Sequence, residues 1–439
     1  MMPLRRACSV ALACACAVVG LAGCSSGPPI PTCSLPPAHA YALEVTTAGR
    51  VRWRVPLAAP ATFGSSPQLS PLAVGAVAVF ARADVLYGLR LADGHRLWSR
   101  AISQPIAGLW RWQNLVVVLI QGSRVPLPVL TGLDASTGQA RWTLRFGSVA
   151  WFSPTADGGL ATWRVDGTLE VVDLSSGRVR WARQVGYPGL PTGAAMAVAG
   201  GAVLVAVDGR LTSYDDRTGQ VRWTEALMPI QLAAGTAGLS LQAAAGLVYL
   251  TGGQQSADGP TPVLLGISAA DGRVEWRFVP SKLGSLDAYA PGLISVTSSS
   301  GTTWQEELDP ATGRLRWQVA STYHAIATPA GIVTGPDTVT GPDGVGTELI
   351  SQISMHDTLT GQIRWTAAWL SSSPVLGLPT GPLLIVPAAG PDGSELLAAF
   401  LLSDGHRAWQ VTIPAPAEFP LSAVPGGVLV YSATVILPC

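Results

Sequence analysis

Lysine and asparagine are almost absent: Lys282 and Asn114 are the only ones in 439 residues. Charged residues make up only 12% of the chain, and 27 basic side chains balance 27 acidic ones. So even a balance leaves no basic patch for nucleic acid and no acidic tail. No Cys–His metal spacing, phosphate loop or Ser-His-Asp arrangement rises out of the sequence, so no catalytic and no metal-ligating residue is assigned. Apolar residues reach 48%, yet past the first two dozen residues no run approaches the roughly 20 apolar residues of a bilayer span. They come instead in short runs broken by Gly and Pro, which suits buried strands. Helical periodicity is missing from the same region.

The N-terminus has its own logic. Arg5 and Arg6 precede the uncharged apolar run Ala7 to Gly20, and Leu21-Ala22-Gly23-Cys24 follows. This resembles the signal of bacterial lipoproteins. The resemblance implies a signal peptide over residues 1–23, a lipid on Cys24, a flexible tether over 24–38, and a folded part over 39–439. It also implies export and anchoring to the outer face of the cytoplasmic membrane. A plain membrane helix is the alternative, for which the run is short. Gly23-Cys24-Ser25-Ser26-Gly27 matches the hydrolase pattern G-x-S-x-G, but that motif needs a strand before it and a helix after it. Without Arg5 and Arg6 the exported part carries 25 basic and 27 acidic residues. The scarcity of Lys and Asn fits a GC-rich, actinobacterium-like source.

Cys8, Cys14 and Cys16 leave with the signal, so apart from Cys24 only Cys33 and Cys439 remain. An even pair in an oxidising compartment is a disulfide candidate; two free thiols on the termini are the alternative.

What the chain has in abundance is one hairpin. LDASTGQARW recurs as VDLSSGRVRW, YDDRTGQVRW, LDPATGRLRW and HDTLTGQIRW. Gly followed four residues later by Trp marks nine copies, at Trp53, Trp98, Trp142, Trp181, Trp223, Trp276, Trp317, Trp365 and Trp409. The intervals run from 39 to 53 residues, a period typical of propeller blades. Asp134, Asp173, Asp215, Asp309 and Asp357 stand four residues before the Gly and can accept the turn's N–H groups. Thr137, Ser176, Thr218, Thr312, Thr360 or Asp271 precedes the Gly and can do likewise, while the Gly supplies positive φ. Simple alternation through Gly177-Arg178-Val179-Arg180-Trp181 puts Val179 and Trp181 inward and the two arginines toward solvent.

Between hairpins there is room for two more strands, for example Val149 to Phe152 and Gly159 to Trp163. Four antiparallel strands per unit make a propeller blade. The expected fold is an all-β propeller of eight to nine blades, the repeat count slightly favouring nine. The chain starts with only a hairpin, Ala40 to Val55, and ends with strands alone, Leu421 to Val424 and Val428 to Ser432. Those halves complete one shared blade. A Cys33–Cys439 bond would clamp that seam, closing a loop for which chain entropy gives roughly 4–5 kcal/mol.

The pattern D-x-x-T-G-x-x-x-W after a strand resembles the PQQ-type repeat, shared by quinoprotein dehydrogenases and BamB-like lipoproteins, over about residues 40 to 439. The resemblance implies a blade-docking role for the nine tryptophans. The dehydrogenase branch implies PQQ over Ca²⁺, with an Asn and a Glu among the ligands and often adjacent cysteines. Here Asn114 opens an apolar strand, no two cysteines adjoin, and the best acidic cluster, Glu306-Glu307 with Asp309, reads as a solvated blade edge. His95 and His406 sit in Asp-Gly-His-Arg turns, His324 and His356 are isolated, and His39 lies near the seam. No cofactor is therefore expected, with PQQ and calcium as the alternative.

The BamB-like branch implies a non-catalytic, monomeric binding or scaffold module. Its partners would be envelope proteins, its membrane contact the lipid alone, and nucleic acid no ligand. The insertions Gly252–Thr261 and Gly335–Thr347, with Gly390–Gly393, are candidate contact loops. A carbohydrate or small-ligand receptor is the third reading, should several of Trp110, Trp112, Trp151, Trp163, Trp304 and Trp369 face the channel.

Overall fold

The computed structural model describes residues 40–57, 69–82, 85–102, 106–121, 127–147, 149–186, 194–227, 240–244, 246–256, 259–280, 284–290, 293–298, 303–320, 325–339, 350–370, 378–389, 395–413 and 421–433. They all lie in one compact unit, residues 37–435. Cys24, Cys33, Cys439, His39, His324 and the 390–393 segment lie outside the described residues.

Short apolar runs separated by Gly-rich turns produce, among the described residues, 36 strands in nine four-stranded antiparallel sheets. The sheets are the blades of a propeller. Blade 1 is built from both ends of the chain: Ala40–Thr46 pairs with Val51–Leu57 on one side and with Gly427–Ala433 on the other, and Leu421–Val424 completes it. Blades 2 to 9 follow in order, with outer strands Arg96–Ala101, Ala140–Arg145, Val179–Gln184, Val221–Ala226, Val274–Phe278, Leu315–Ala320, Ile363–Leu370 and Arg407–Ile413. The first strands of successive blades touch one another, Val149–Pro154 against Ala195–Ala199 and that against Ser240–Ala244. They form the inner edge.

The core lies between blades, not within one. Val74, Val79, Leu86 and Trp98 of blade 2 pack with Val116, Val118 and Leu133 of blade 3. Ala195, Leu204 and Leu211 of blade 5 pack with Val248, Leu250 and Val263 of blade 6. The closing seam is of the same kind: Leu43, Val428 and Val430 of blade 1 meet Ile385, Leu397 and Ala399 of blade 9. A sheet buried on both faces needs continuous apolar strands, and Leu115–Ile120, LVVVLI, is one.

Two readings of the sequence need correction. At every hairpin the register slips by one residue just before the Trp. This β-bulge inserts the residue preceding each Trp, such as Arg141 or Arg180, so simple alternation fails. Val179 is consequently 43% exposed and Ile363 59%, while Arg180 turns back toward the hairpin. The second correction concerns Gly252–Thr261. Its described residues, 252–256 and 259–261, are strand: Leu247–Ser256 and Gly259–Ser268 stay paired along their length, out to Ser256 opposite Gly259.

Candidate functional site

The most repeated chemistry in the molecule is a clasp between blades. In the hairpin of blade 3, Asp134 Oδ1 accepts the N–H groups of Ser136 and Thr137 and both their hydroxyls. Its Oδ2 takes Arg141 Nη2 at 2.7 Å. The Ser136 hydroxyl and then Arg141 hold the Asp134 carboxyl far below the usual carboxylate range, against a smaller opposing effect of burial. Asp173–Arg180, Asp215–Arg222 and Asp309–Arg316 repeat the pairing at 2.7–2.9 Å. Blades 2, 6 and 9 lack that Asp. There the residue before the Gly, Asp93, Asp271 or Asp404, accepts the N–H two residues on.

The hairpin glycines all have φ between 65° and 80°. Each lies flat on the indole of the preceding blade, so closely that a Cβ would fall within 3.0 Å of the ring. Beside that contact the indole N–H donates to a backbone carbonyl of the same turn: Trp53 to Leu91, Trp98 to Ala135, Trp181 to Asp216, Trp223 to Ala269, Trp276 to Pro310, Trp317 to Thr358, Trp365 to Leu402 and Trp409 to Thr47, at 2.8–3.1 Å. Trp142 packs on Gly177 in the same way, but its buried Nε1 has no hydrogen-bond partner among the described residues.

The acidic cluster is not a solvated edge. Glu306 and Glu307 are buried, on the third strand of blade 7, Thr303–Leu308. Its alternation sends Glu307, in register with Trp317, toward blade 8. Burial raises the Glu307 carboxyl to about 7, against the pull of the Arg316 guanidinium. Asp309 caps the hairpin and does not join them. On the far side of Trp317 lies His356, stacked at 5.6 Å. This histidine is buried: Nδ1 donates to the Gly361 carbonyl at 3.1 Å, which leaves Nε2 beside the Thr334 hydroxyl at 3.0 Å. His95 and His406 are exposed turn residues.

Asn114 lies in the exposed turn between Ile106–Trp112 and Leu115–Ile120, its carbonyl accepting Ala135 N–H. It belongs to blade 3, whereas the buried Glu306–Glu307 pair belongs to blade 7. Among the described residues no three His, Cys, Asp or Glu side chains are grouped to hold a metal ion. The residues singled out for PQQ over calcium therefore do not fit that group.

Two further features could engage a ligand. Trp110, Trp112, Trp151 and Phe152 are half-buried on the inner strands of blades 3 and 4, with Trp110 edge-on to Phe152 at 5.2 Å. Between the outer strand of blade 8 and the outer hairpin of blade 9 is an open depression of about 430 Å³ lined by Thr366, Phe400, Asp404, His406 and Arg407. Trp163 is buried, its ring centroid 5.0 Å from that of Trp151 and the two rings tilted by 32°. Glu44, Glu170 and Asp216 are buried acids that the sequence did not flag; burial raises the carboxyl of each. Strand alternation could have pointed to Glu44 and Glu170, since each lies between apolar neighbours.

The family model described as outer membrane protein assembly factor BamB matches residues 113–231. No curated protein matches the chain. Among solved structures, BamB from Moraxella catarrhalis is 18% identical, covering 84% of this chain and 99% of its own, with a TM-score of 0.43. A quinohemoprotein alcohol dehydrogenase from Pseudomonas putida is 13% identical, covering 73% and 68%, with a TM-score of 0.43. The eukaryotic initiation factor is 12% identical, covering 90% and 98%, with a TM-score of 0.56, a likeness of fold. The chain is a nine-bladed β-propeller, and over residues 113–231 its repeats are similar to the PQQ-type repeats of that family model.

Proposed function

We propose that this propeller is a non-catalytic binding and scaffold module of the cell envelope. In this reading it is exported, held at the outer face of the cytoplasmic membrane by a lipid on Cys24, works as a single ring, and engages envelope proteins. One observation supports it above the others: the Asp, Ser, Thr, Arg and Trp side chains that define the repeat are engaged in turns and in blade-to-blade contacts. The repeat chemistry is thus structural, and what remains for a partner is a rigid ring with varied loops and edges. The lipid rests on Leu21-Ala22-Gly23-Cys24, and a Cys33–Cys439 bond is part of the same proposal.

The deciding experiment is a titration of the full chain with PQQ and Ca²⁺, read by Trp fluorescence and dye-linked alcohol oxidation. Neither saturable quenching nor turnover is expected; turnover would replace the scaffold reading with an oxidoreductase. Photo-cross-linking from exposed positions on intact cells should give one recurrent envelope protein from neighbouring positions.

A small-ligand receptor is the second reading, favoured by the four half-buried aromatic side chains on the inner strands of blades 3 and 4. Stacking of a sugar there would quench Trp fluorescence, and Trp110→Ala would remove the effect.

A further inference from the structure

The net charge of zero conceals a division. Residues 40–186 carry 15 arginines against 8 acidic residues, whereas residues 187–439 carry 10 basic and 19 acidic ones. The first segment supplies the outer hairpin of blade 1 and all of blades 2 to 4, so folding gathers its excess into one arc of the ring. Within that arc the arginines are concentrated on the outer strands. Val51–Leu57, Arg96–Ala101, Ala140–Arg145 and Val179–Gln184 each hold two arginines and no acid. Among the other outer strands, two carry a glutamate, Glu225 and Glu275.

Some of these arginines serve the fold. Arg52 pairs with Glu44, Arg141 with Asp134, and Arg180 with Asp157 and Asp173. Arg54, Arg96, Arg145 and Arg183 on the strands, with Arg50 and Arg178 just before them, are exposed and form no ion pair among the described residues. Arg54 instead lies over the Tyr41 ring at 4.0 Å. These strands are also the last in their sheets, with no further strand paired to their outer side among the described residues, the position at which an edge can accept an added strand. Interspersed are the aliphatic side chains that the bulge turns outward, Val51, Leu97 and Val179.

We propose that this arc binds an acidic, extended segment of a partner protein, added as a fifth strand to an outer edge of blades 1 to 4. The inference rests on the scaffold reading and names its partner's chemistry. Arginines on an edge strand repel most added strands but favour one with carboxylates opposite them. Backbone pairing supplies affinity, and alternate side chains supply selectivity. The segment is short, because the outer strands are six or seven residues long. An anionic membrane would match the charge but supply no strand to the edge.

The test uses the full chain and a fluorescein-labelled peptide alternating Glu and Val over eight residues. Binding should be saturable and should weaken with salt. The quadruple variant Arg54→Glu, Arg96→Glu, Arg145→Glu, Arg183→Glu should lose about tenfold or more in affinity. Arg210→Glu with Arg314→Glu, outside the arc, should change affinity less than about twofold. A copy of the peptide N-methylated at alternate backbone positions should also lose binding. Circular dichroism and Tm identify any variant that fails to fold, and peptide N-methylation tests the idea on the unaltered chain. Equal binding by the quadruple variant, equal binding by the methylated peptide, or binding only to vesicles of phosphatidylglycerol would overturn the proposal. Those results leave the scaffold reading intact, whereas turnover with PQQ would remove it whatever the peptide does.

Discussion

Trp409 donates its indole N–H to the carbonyl of Thr47 at 2.8 Å, 362 residues away in sequence. It is the same bond that joins successive blades, used once more to join the last to the first, and Gly49 lies on its ring as other hairpin glycines lie on theirs. Ring closure therefore depends on the repeat motif as well as on the shared blade. Trp409→Ala removes both the packing and the bond. It should cost about 3–5 kcal/mol, the usual range for a large aromatic truncated in a core, though Trp409 is only half-buried, which favours the lower end. Urea unfolding of the variant should show the loss as an earlier midpoint.

Trp142 offers an internal control. Its ring packs like the others, but its buried N–H has no partner among the described residues, whereas Trp98 donates to Ala135 at 2.8 Å. Substitution by Phe removes a satisfied donor in one case and an unsatisfied one in the other. Trp98→Phe should lose about 1 kcal/mol more than Trp142→Phe, the net worth of one hydrogen bond. Equal losses would show that packing alone sets the seam.

Gly138 and Gly209 separate backbone strain from contact. Both have positive φ, 69° and 71°. A Cβ on Gly209 meets nothing within 4 Å, whereas one on Gly138 would fall 2.6 Å from the Trp98 ring. Gly209→Ala should cost about 1–2 kcal/mol from the left-handed conformation alone. Gly138→Ala adds overpacking, typically another 1–3 kcal/mol. Thermal unfolding of the two variants should rank them in that order.

Much of the fold was legible because the hairpin repeats almost letter for letter. Nine Gly–Trp spacings gave the blades, and the incomplete first and last units gave the shared one. What alternation could not show is the bulge before each Trp, since Arg180 and Val179 trade places with a single inserted residue. The site was far less legible. Glu306-Glu307-Asp309 looks like a surface run, yet the first two are buried and only Asp309 reaches the turn. Strand alternation places one glutamate on each face of a sheet that is covered on both sides, a tertiary fact. The arginine arc is hidden in a whole-chain charge that cancels, 27 basic against 27 acidic residues.

Burial of Glu307 gives the ring a pH dependence with a definite sign. Its folded pKa, about 7, lies above the ordinary glutamate value of 4.5. The native state thus binds more protons than the unfolded chain between those values, and stability falls as pH rises through that window. At about 1.4 kcal/mol per pH unit, the cost at pH 8 is on the order of 3 kcal/mol. Glu307→Gln should remove most of that slope and raise Tm at pH 8 more than at pH 5. The hairpin carboxylates have the opposite sign: Asp134 and Asp215 are lowered, so their stabilisation is complete above the unfolded value near 3.8 and is lost as pH falls through their folded values. A Tm–pH profile for the wild-type chain and the Gln variant distinguishes the two contributions.

The shared blade also sets an order of events. The hairpin Ala40 to Leu57 emerges first and has only two strands until Leu421–Ala433 arrives. Until then the other eight sheets form an open arc, with one apolar flank of blade 2 and one of blade 9 exposed to water. A chain synthesised from the N-terminus must hold these surfaces apart from other proteins until its last strands are made. Truncation near residue 420 would then yield a sticky, unclosed crescent in place of a slightly smaller ring.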